Sequence, residues 1–313
     1  MPLETIGTPA LWAGFVLFVL CMLAVDLGVF HRKAHAVSLK EAGIWSAVWV
    51  AMAGAFNAIL YFAFGPERAL EFTTGYLIEK ALAVDNIFVF VVIFSTFAIP
   101  ALYQHRVLFW GVLGALLMRA AFILAGGAFV QRFHWAMYVF GGVLLVTGVK
   151  LLIQRNQEPD PEKNVLVRAF RRVVPSTPEL HGDSFMIKRA GRRYATPLLL
   201  ALVAVEVTDL IFAVDSIPAI FAVTEDPFIV FTSNIFAILG LRSMYFLLAG
   251  VVNKLAYLKI GLSFVLIFIG FKLLLIDFIK LPIAASLGII AGILAVSVVA
   301  SLVKPSVVEQ QPS

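Results

Sequence analysis

The chain has 313 residues, of which 61% are hydrophobic and only 14% charged, with a mean hydropathy of +0.98 and a formal net charge of +5. These figures exclude an ordinary soluble domain, and a basic excess spread over short loops argues for membrane orientation rather than nucleic-acid binding. The single cysteine, Cys21, excludes an internal disulfide and a thiolate cluster, so cysteine chemistry is not the function.

Apolar runs of about 20 residues separated by short charged turns predict spanning helices, not the roughly 10-residue alternating strands of a membrane barrel. Nine are expected, over about 10–30, 40–64, 70–98, 106–128, 133–153, 196–223, 228–250, 257–278 and 283–303. Before the first run the charge is Glu4, and the basic residues Arg32 and Lys33 follow it. That order makes the run an anchor with its N-terminus outside rather than a removable signal. Asp26, near its inner end, is a candidate supporting ligand or a partner for local bases. Asn57 in the second helix reads as an interhelical hydrogen bond.

The third helix contains "LIEKALAVDNIFVFVVIF" (77–94), with Glu79, Lys80, Asp85 and Asn86 set into apolar sequence. The fourth carries Arg119 and the fifth Lys150. Residues 154–195, with nine basic and five acidic residues and four prolines, read as a cytoplasmic linker with one short helix around "VLVRAFRRVV". The sixth helix contains "VEVTDLIFAVDSIPAIFAV" (205–223), with Glu206, Asp209, Asp215 and Ser216; the seventh carries Arg242 and the eighth Lys272. A polar tail follows the ninth. The segments predicted to face the cytoplasm each carry Lys or Arg, which puts the C-terminus inside.

The two halves echo each other. "ALAVDNIFVF" (81–90) matches "IFAVDSIPAIF" (211–221), "LLMRAAFILAG" (116–126) matches "LGLRSMYFLLAG" (239–250), and "VTGVKLLI" (146–153) matches "FIGFKLLL" (268–275). Asp85 thus corresponds to Asp215, Arg119 to Arg242, Gly148 to Gly270 and Lys150 to Lys272. Because the third and sixth helices run in opposite directions, helices 3–5 and 6–8 form an inverted repeat, a transporter signature. The organisation is an all-α polytopic membrane bundle: two helices (1–64), a first repeat (65–153), the basic linker (154–195), a second repeat (196–279), a last helix (280–304) and a disordered tail (305–313).

Ionised groups at bilayer depth cost a few kcal/mol each, so they face the bundle interior and mark function or pairing. Glu79, Asp85, Asp209 and Asp215, supported by Asn86, Ser216 and Glu206, offer hard oxygen ligands suited to Mn²⁺, Ca²⁺ or Mg²⁺ as cargo. Pro218 is expected to loosen the sixth helix so that both of its aspartates reach one midplane centre. All five histidines fall in loops or at span ends, which disfavours zinc or copper. Crowded carboxylates resist simultaneous ionisation, which points to proton coupling. Arg119, Arg242 and Lys80 read as charge-pairing or gating residues.

On "DLGVFHRKAHAVSLKEA" (26–42), "EKALAVDNIFVF" (79–90) and "EVTDLIFAVDSIPAIFAVTEDPFIVFTSNIFAILGLRSMYFLL" (206–248), the chain resembles the TerC family of bacterial membrane proteins and, within it, the Alx-type members. The resemblance implies a multi-pass inner-membrane protein associated with tellurium-resistance clusters, alkaline stress response and export of excess manganese, with Glu79, Asp85, Asp209 and Asp215 along the metal path. Related members imply contact with the secretion machinery. No permanent cofactor and no catalysis are expected. Two other readings stand beside an exporter: a non-transporting scaffold for secretion or stress complexes, and an intramembrane aspartyl protease, against which the absent glycine-x-glycine-aspartate context counts.

Overall fold

The computed structural model describes residues 5–30, 37–133, 135–153, 172, 174–189, 191–249, 257–279 and 281–303, with the side chains of 26–30, 85 and 126–132 outside the description. Within these residues the chain forms ten helices: α1 (Pro9–Phe30), α2 (Leu39–Phe64), α3 (Pro66–Thr96), α4 (Ala101–Arg132), α5 (Ala136–Ile153), α6 (Pro197–Phe221), α7 (Pro227–Leu239), α8 (Leu241–Leu248), α9 (Leu258–Leu274) and α10 (Ile283–Val303). Five are long and apolar enough to cross a membrane, or six if α7 and α8, bent by 42° at their junction, form one broken span. The charges in α3 keep it out of that tally. The protein is therefore an all-α membrane bundle, as its composition demands.

Helix ends follow local chemistry. Proline opens α3, α6 and α7 within the first turn, where the missing N–H would have had no partner. Ser38 caps α2 by accepting from the Glu41 amide, and Asp226 caps α7 by accepting from the Phe228 amide at 2.9 Å. Asp226 also receives the Thr5 hydroxyl and the Ile6 amide, which ties the N-terminal segment across this end of the bundle. Beside it Glu71 accepts from Arg68 and from the Thr224 hydroxyl.

The core has three apolar parts. Phe15, Phe56, Phe72, Phe228 and Phe236 interlock α1, α2, α3 and α7, with Phe15–Phe236 and Phe56–Phe236 centroids 5.6 and 5.1 Å apart. A second part joins α3, α4, α6 and α8. The third joins α5, α6, α9 and α10 to α3. Asn57 donates to the Thr73 hydroxyl at 2.9 Å, an interhelical bond between α2 and α3.

Glycines let two helix pairs approach closely. A Cβ built on Gly141 would lie 3.0 Å from the Gly270 carbonyl oxygen, and one on Gly148 would lie 2.9 Å from that of Ser263. Residue numbers fall along α9 as they rise along α5, so the pair is antiparallel and Lys150 and Lys272 sit at opposite ends. The α4–α6 pair closes at Gly111 against Val205 and at Gly114 against Glu206.

Three details differ from the sequence-based expectation. The seventh helix is not one rod over 228–250 but is broken at Gly240. The sixth is unbroken: Pro218 lies in the last turn of α6, where losing one backbone bond does not interrupt the aspartate-bearing turns before it. The linker ends in an antiparallel hairpin, β1 (Met186–Arg189) with β2 (Arg192–Ala195), turned by Gly191 at φ +79°. It carries Lys188, Arg189, Arg192 and Arg193. The helix expected around 165–174 and the polar tail from 305 fall outside the described residues, apart from Arg172 and Val174.

Candidate cation site

Four helices bring their polar residues to one point. Arg119 of α4, 1% exposed, is the hub. Its Nε and Nη2 reach the two carboxylate oxygens of Asp209 on α6 at 3.3 and 2.9 Å, a forked pairing. Its Nη1 donates to Glu79 on α3, to the Ser216 hydroxyl at 3.2 Å and to the Asn234 side-chain oxygen on α7 at 3.4 Å. Asn234 in turn donates to the other Glu79 oxygen at 3.0 Å. Glu79, Asp209, Ser216 and Asn234 are all buried, at 1%, 2%, 1% and 0% exposure. A guanidinium so enclosed is stable only with its charge answered and its donors used, and this cluster does both.

The approach of α3 and α6 fixes the heights of the other acids. Gly75 packs on Ile220, and Ser216 is within hydrogen-bond reach of Glu79, so the two helices run antiparallel with Glu79 level with Ser216. At 1.5 Å of rise per residue, Asp215 lies within about 2 Å of the height of Glu79, and the Asp85 backbone within about 2 Å of that of Asp209. The two levels are about 9–10 Å apart along the helices.

Sequence reasoning expects one centre for all four acids. The structure brings Glu79 and Asp209 together around Arg119. Asp215 turns instead toward α5, where it accepts from the Thr147 hydroxyl at 2.8 Å. The side chains of Asp85 and Asp26 lie outside the description. Among the described residues no three Asp, Glu, His or Cys side chains are close enough to share an ion. Asn86 is buried on α3, and its Oδ1 has no hydrogen-bond partner among the described residues. Glu206, one turn before Asp209, lies against Gly114 of α4.

The remaining bases stand apart from the hub. Lys80 donates to the Ala237 carbonyl at 3.0 Å, beside the α7–α8 bend, with its ammonium 5.6 Å from the Tyr76 ring centre. Arg242 lines a small cavity with Trp45, Trp49 and Ser243. Asn234 and Thr147 escape sequence reasoning. Asn234 sits in "TSNIFAIL", where an amide within an apolar run is the signal that could have found it; Thr147 carries none, since a lone Thr reads as helix packing.

A model of the TerC integral membrane protein family matches residues 64–309. The chain belongs to the TerC family. Among similar proteins, the uncharacterized membrane protein STKORF319 of Myxococcus xanthus is 63% identical over 300 residues, covering 96% of this chain and 94% of its own. A protein of Escherichia coli (strain K12), named as a membrane-bound redox modulator, Alx, is 49% identical over 304 residues, covering 94% and 95%. A membrane protein of Rickettsia felis is 40% identical over 298 residues, covering 95% and 99%. No solved structure matches. The TerC match spans every helix of the hub, so the buried cluster belongs to the family's own segment of the chain.

Proposed function

We propose that this TerC protein exports a hard divalent cation, Mn²⁺ foremost, across the bacterial inner membrane by alternating access. The observation that carries the reading is the convergence of Glu79 and Asp209 in the buried centre of an apolar bundle. Positions 79 and 209 are 130 apart, the same offset that relates Asp85 to Asp215. Two acids at equivalent places in two repeats, meeting where the repeats meet, are what a transported cation needs.

Reciprocal packing favours the inverted repeat. With an offset of 122, the contact of Gly141 with Gly270 maps onto that of Gly148 with Ser263, and Gly148 with Ile267 maps onto Gly270 with Leu145. All of these contacts are present, as a two-fold axis between α5 and α9 requires. Nine crossings, with the N-terminus outside and the C-terminus in the cytoplasm, follow if α1, α3, the bent α7–α8 pair and α9 each cross once. The basic hairpin then lies on the cytoplasmic side, near anionic lipid.

Asp215, level with Glu79, and Asp85, level with Asp209, serve as further stations beside the hub, with Asn86, Ser216 and Glu206 supporting. Hard oxygens suit Mn²⁺, Mg²⁺ and Ca²⁺, and protons taken up by vacated acids give a route to coupling. The redox role in the Alx name has no dithiol behind it here, because one cysteine cannot form an intramolecular couple.

The test is Mn²⁺ flux in proteoliposomes under an imposed pH gradient, against Ca²⁺, Mg²⁺ and Zn²⁺, with Asp209→Asn and Asp215→Asn in parallel. Flux of Mn²⁺ that follows the gradient and disappears in both variants supports the exporter. A wild type that moves no cation, or variants that match it, leaves a scaffold for secretion or stress complexes as the better reading.

A further inference from the structure

The acceptors of Arg119 form a recognisable set. They are two carboxylates, a hydroxyl and a side-chain amide oxygen, drawn from α3, α6 and α7. Each is a hard oxygen of the kind that Mn²⁺, Mg²⁺ or Ca²⁺ takes as a ligand. No sulfur or imidazole is among them. The guanidinium therefore occupies the space, and uses the lone pairs, that a divalent cation would need.

We infer that Arg119 is a tethered counter-cation that competes with the transported metal for Glu79, Asp209, Ser216 and Asn234, so that metal loads only as the arginine leaves. The inference rests on the export reading and names how its site is held between loads. Three features argue for competition over a purely structural pairing. The arginine comes from a helix that supplies no metal ligand, so its withdrawal leaves the ligand set intact on α3, α6 and α7. Its repeat counterpart Arg242 is held outside the cluster, so one charge, not two, occupies it. The two carboxylates with one guanidinium carry a single net negative charge when both are ionised, whereas the same acids with a divalent ion are neutral. Exchange of arginine for metal thus changes the charge of the core by one unit, and the empty carrier needs at most one proton at this pair.

Withdrawal has a mechanical consequence. Arg119 lies on the same helix as Gly111 and Gly114, whose missing side chains let α4 lie against Val205 and Glu206 of α6. Moving α4 along or away from this seam would carry the guanidinium off Asp209. Metal occupancy and the α4–α6 contact are then linked, because the ligand is bound only in the arrangement that excludes the arginine.

The experiment is a Mn²⁺ titration of the purified full-length protein, read by the loss of the free-ion electron paramagnetic resonance signal, on wild type, Arg119→Gln, Arg119→Lys and Asp209→Asn, with flux measured on the same preparations. Arg119→Gln is expected to bind Mn²⁺ at least tenfold more tightly while moving it more slowly, because the site then holds its load. Asp209→Asn should lose binding. A monodisperse Arg119→Gln protein with unchanged or weaker affinity overturns the inference. If that variant does not fold, Arg119→Lys decides. Lysine keeps the charge but cannot fork across both oxygens of Asp209 while holding Glu79, so affinity should rise about threefold or more; no rise overturns the inference. Wild type and variants that all fail to bind or move Mn²⁺ overturn the export reading together with it, whereas a wild type that transports and variants that bind as it does overturn the competition alone.

Discussion

α4 and the α7–α8 pair answer to each other in sequence yet behave differently in the bundle. α4 is continuous from Ala101 to Arg132 and delivers Arg119 to the buried hub. Its counterpart breaks at Gly240, bends by 42° and leaves Arg242 beside Trp45 and Trp49 of α2. Gly240 has an ordinary φ of −83°, so the bend is not forced by backbone strain. It is accompanied by Lys80, which takes the Ala237 carbonyl, and by Ser243, whose hydroxyl donates to the Gly240 carbonyl at 3.0 Å. Equivalent sequence therefore acquires inequivalent roles through its neighbours. A straight helix can place a charge in the core, and a bent one diverts it.

The contrast breaks first at the arginines. Arg119→Met leaves Glu79 and Asp209 without their common partner and is expected to cost about 3–5 kcal/mol, the usual penalty for removing one side of a buried ion pair. Arg242→Met should cost only about 1 kcal/mol, as expected for a half-buried side chain outside the hub. Thermal unfolding in detergent would read both, and equal effects would mean that the two arginines are structurally interchangeable.

Glycine substitutions should separate the packed α5–α9 seam from the bend at Gly240. Gly148→Leu drives side-chain atoms into the Ser263 carbonyl and the Ile267 backbone, so about 1–3 kcal/mol of overpacking is expected. Gly240→Ala meets the movable end of Lys80 first, 2.7 Å from the new Cβ, and should stay under about 1 kcal/mol. Lys80→Met removes the ammonium from the bend; a loss of about 1 kcal/mol is expected, together with faster hydrogen exchange across α8. Unchanged exchange there would show that the bend holds itself. Asn57→Leu, which touches neither region, should cost about 0.6 kcal/mol, a typical value for a hydrogen bond between membrane helices.

The sequence makes much of this legible, for a physical reason. In a bilayer every backbone group must be satisfied within its own segment, so long apolar runs have little choice but to be helices. Charged residues within them have few places to go. Glu79, Asp209 and Arg119 could therefore be named from sequence alone. Their grouping could not, because it depends on which neighbour each helix face meets. Glu79 and Asp209 stand on different levels and are joined through Arg119 of α4, while Asp215 faces Thr147 of α5, and periodicity along one helix does not contain that information. The break at Gly240 was equally hidden, since glycine in a membrane helix more often marks close packing than a bend. Pro218 misled for the opposite reason: a proline disrupts a helix only where the turn before it must hold, and α6 ends three residues later.

The α5–α9 seam is a joint between two helix backbones. Backbone meets backbone at Gly141 and Gly270 and again at Gly148 and Ser263, with Leu145 and Ile267 seated against the glycines between. Such a joint can roll through a small angle with little side-chain rearrangement, but it cannot slide, because a shift of one residue, about 1.5 Å, would push Leu145 or Ile267 off its glycine and into the opposite chain. If the two halves of the molecule move against each other, this seam is the axle.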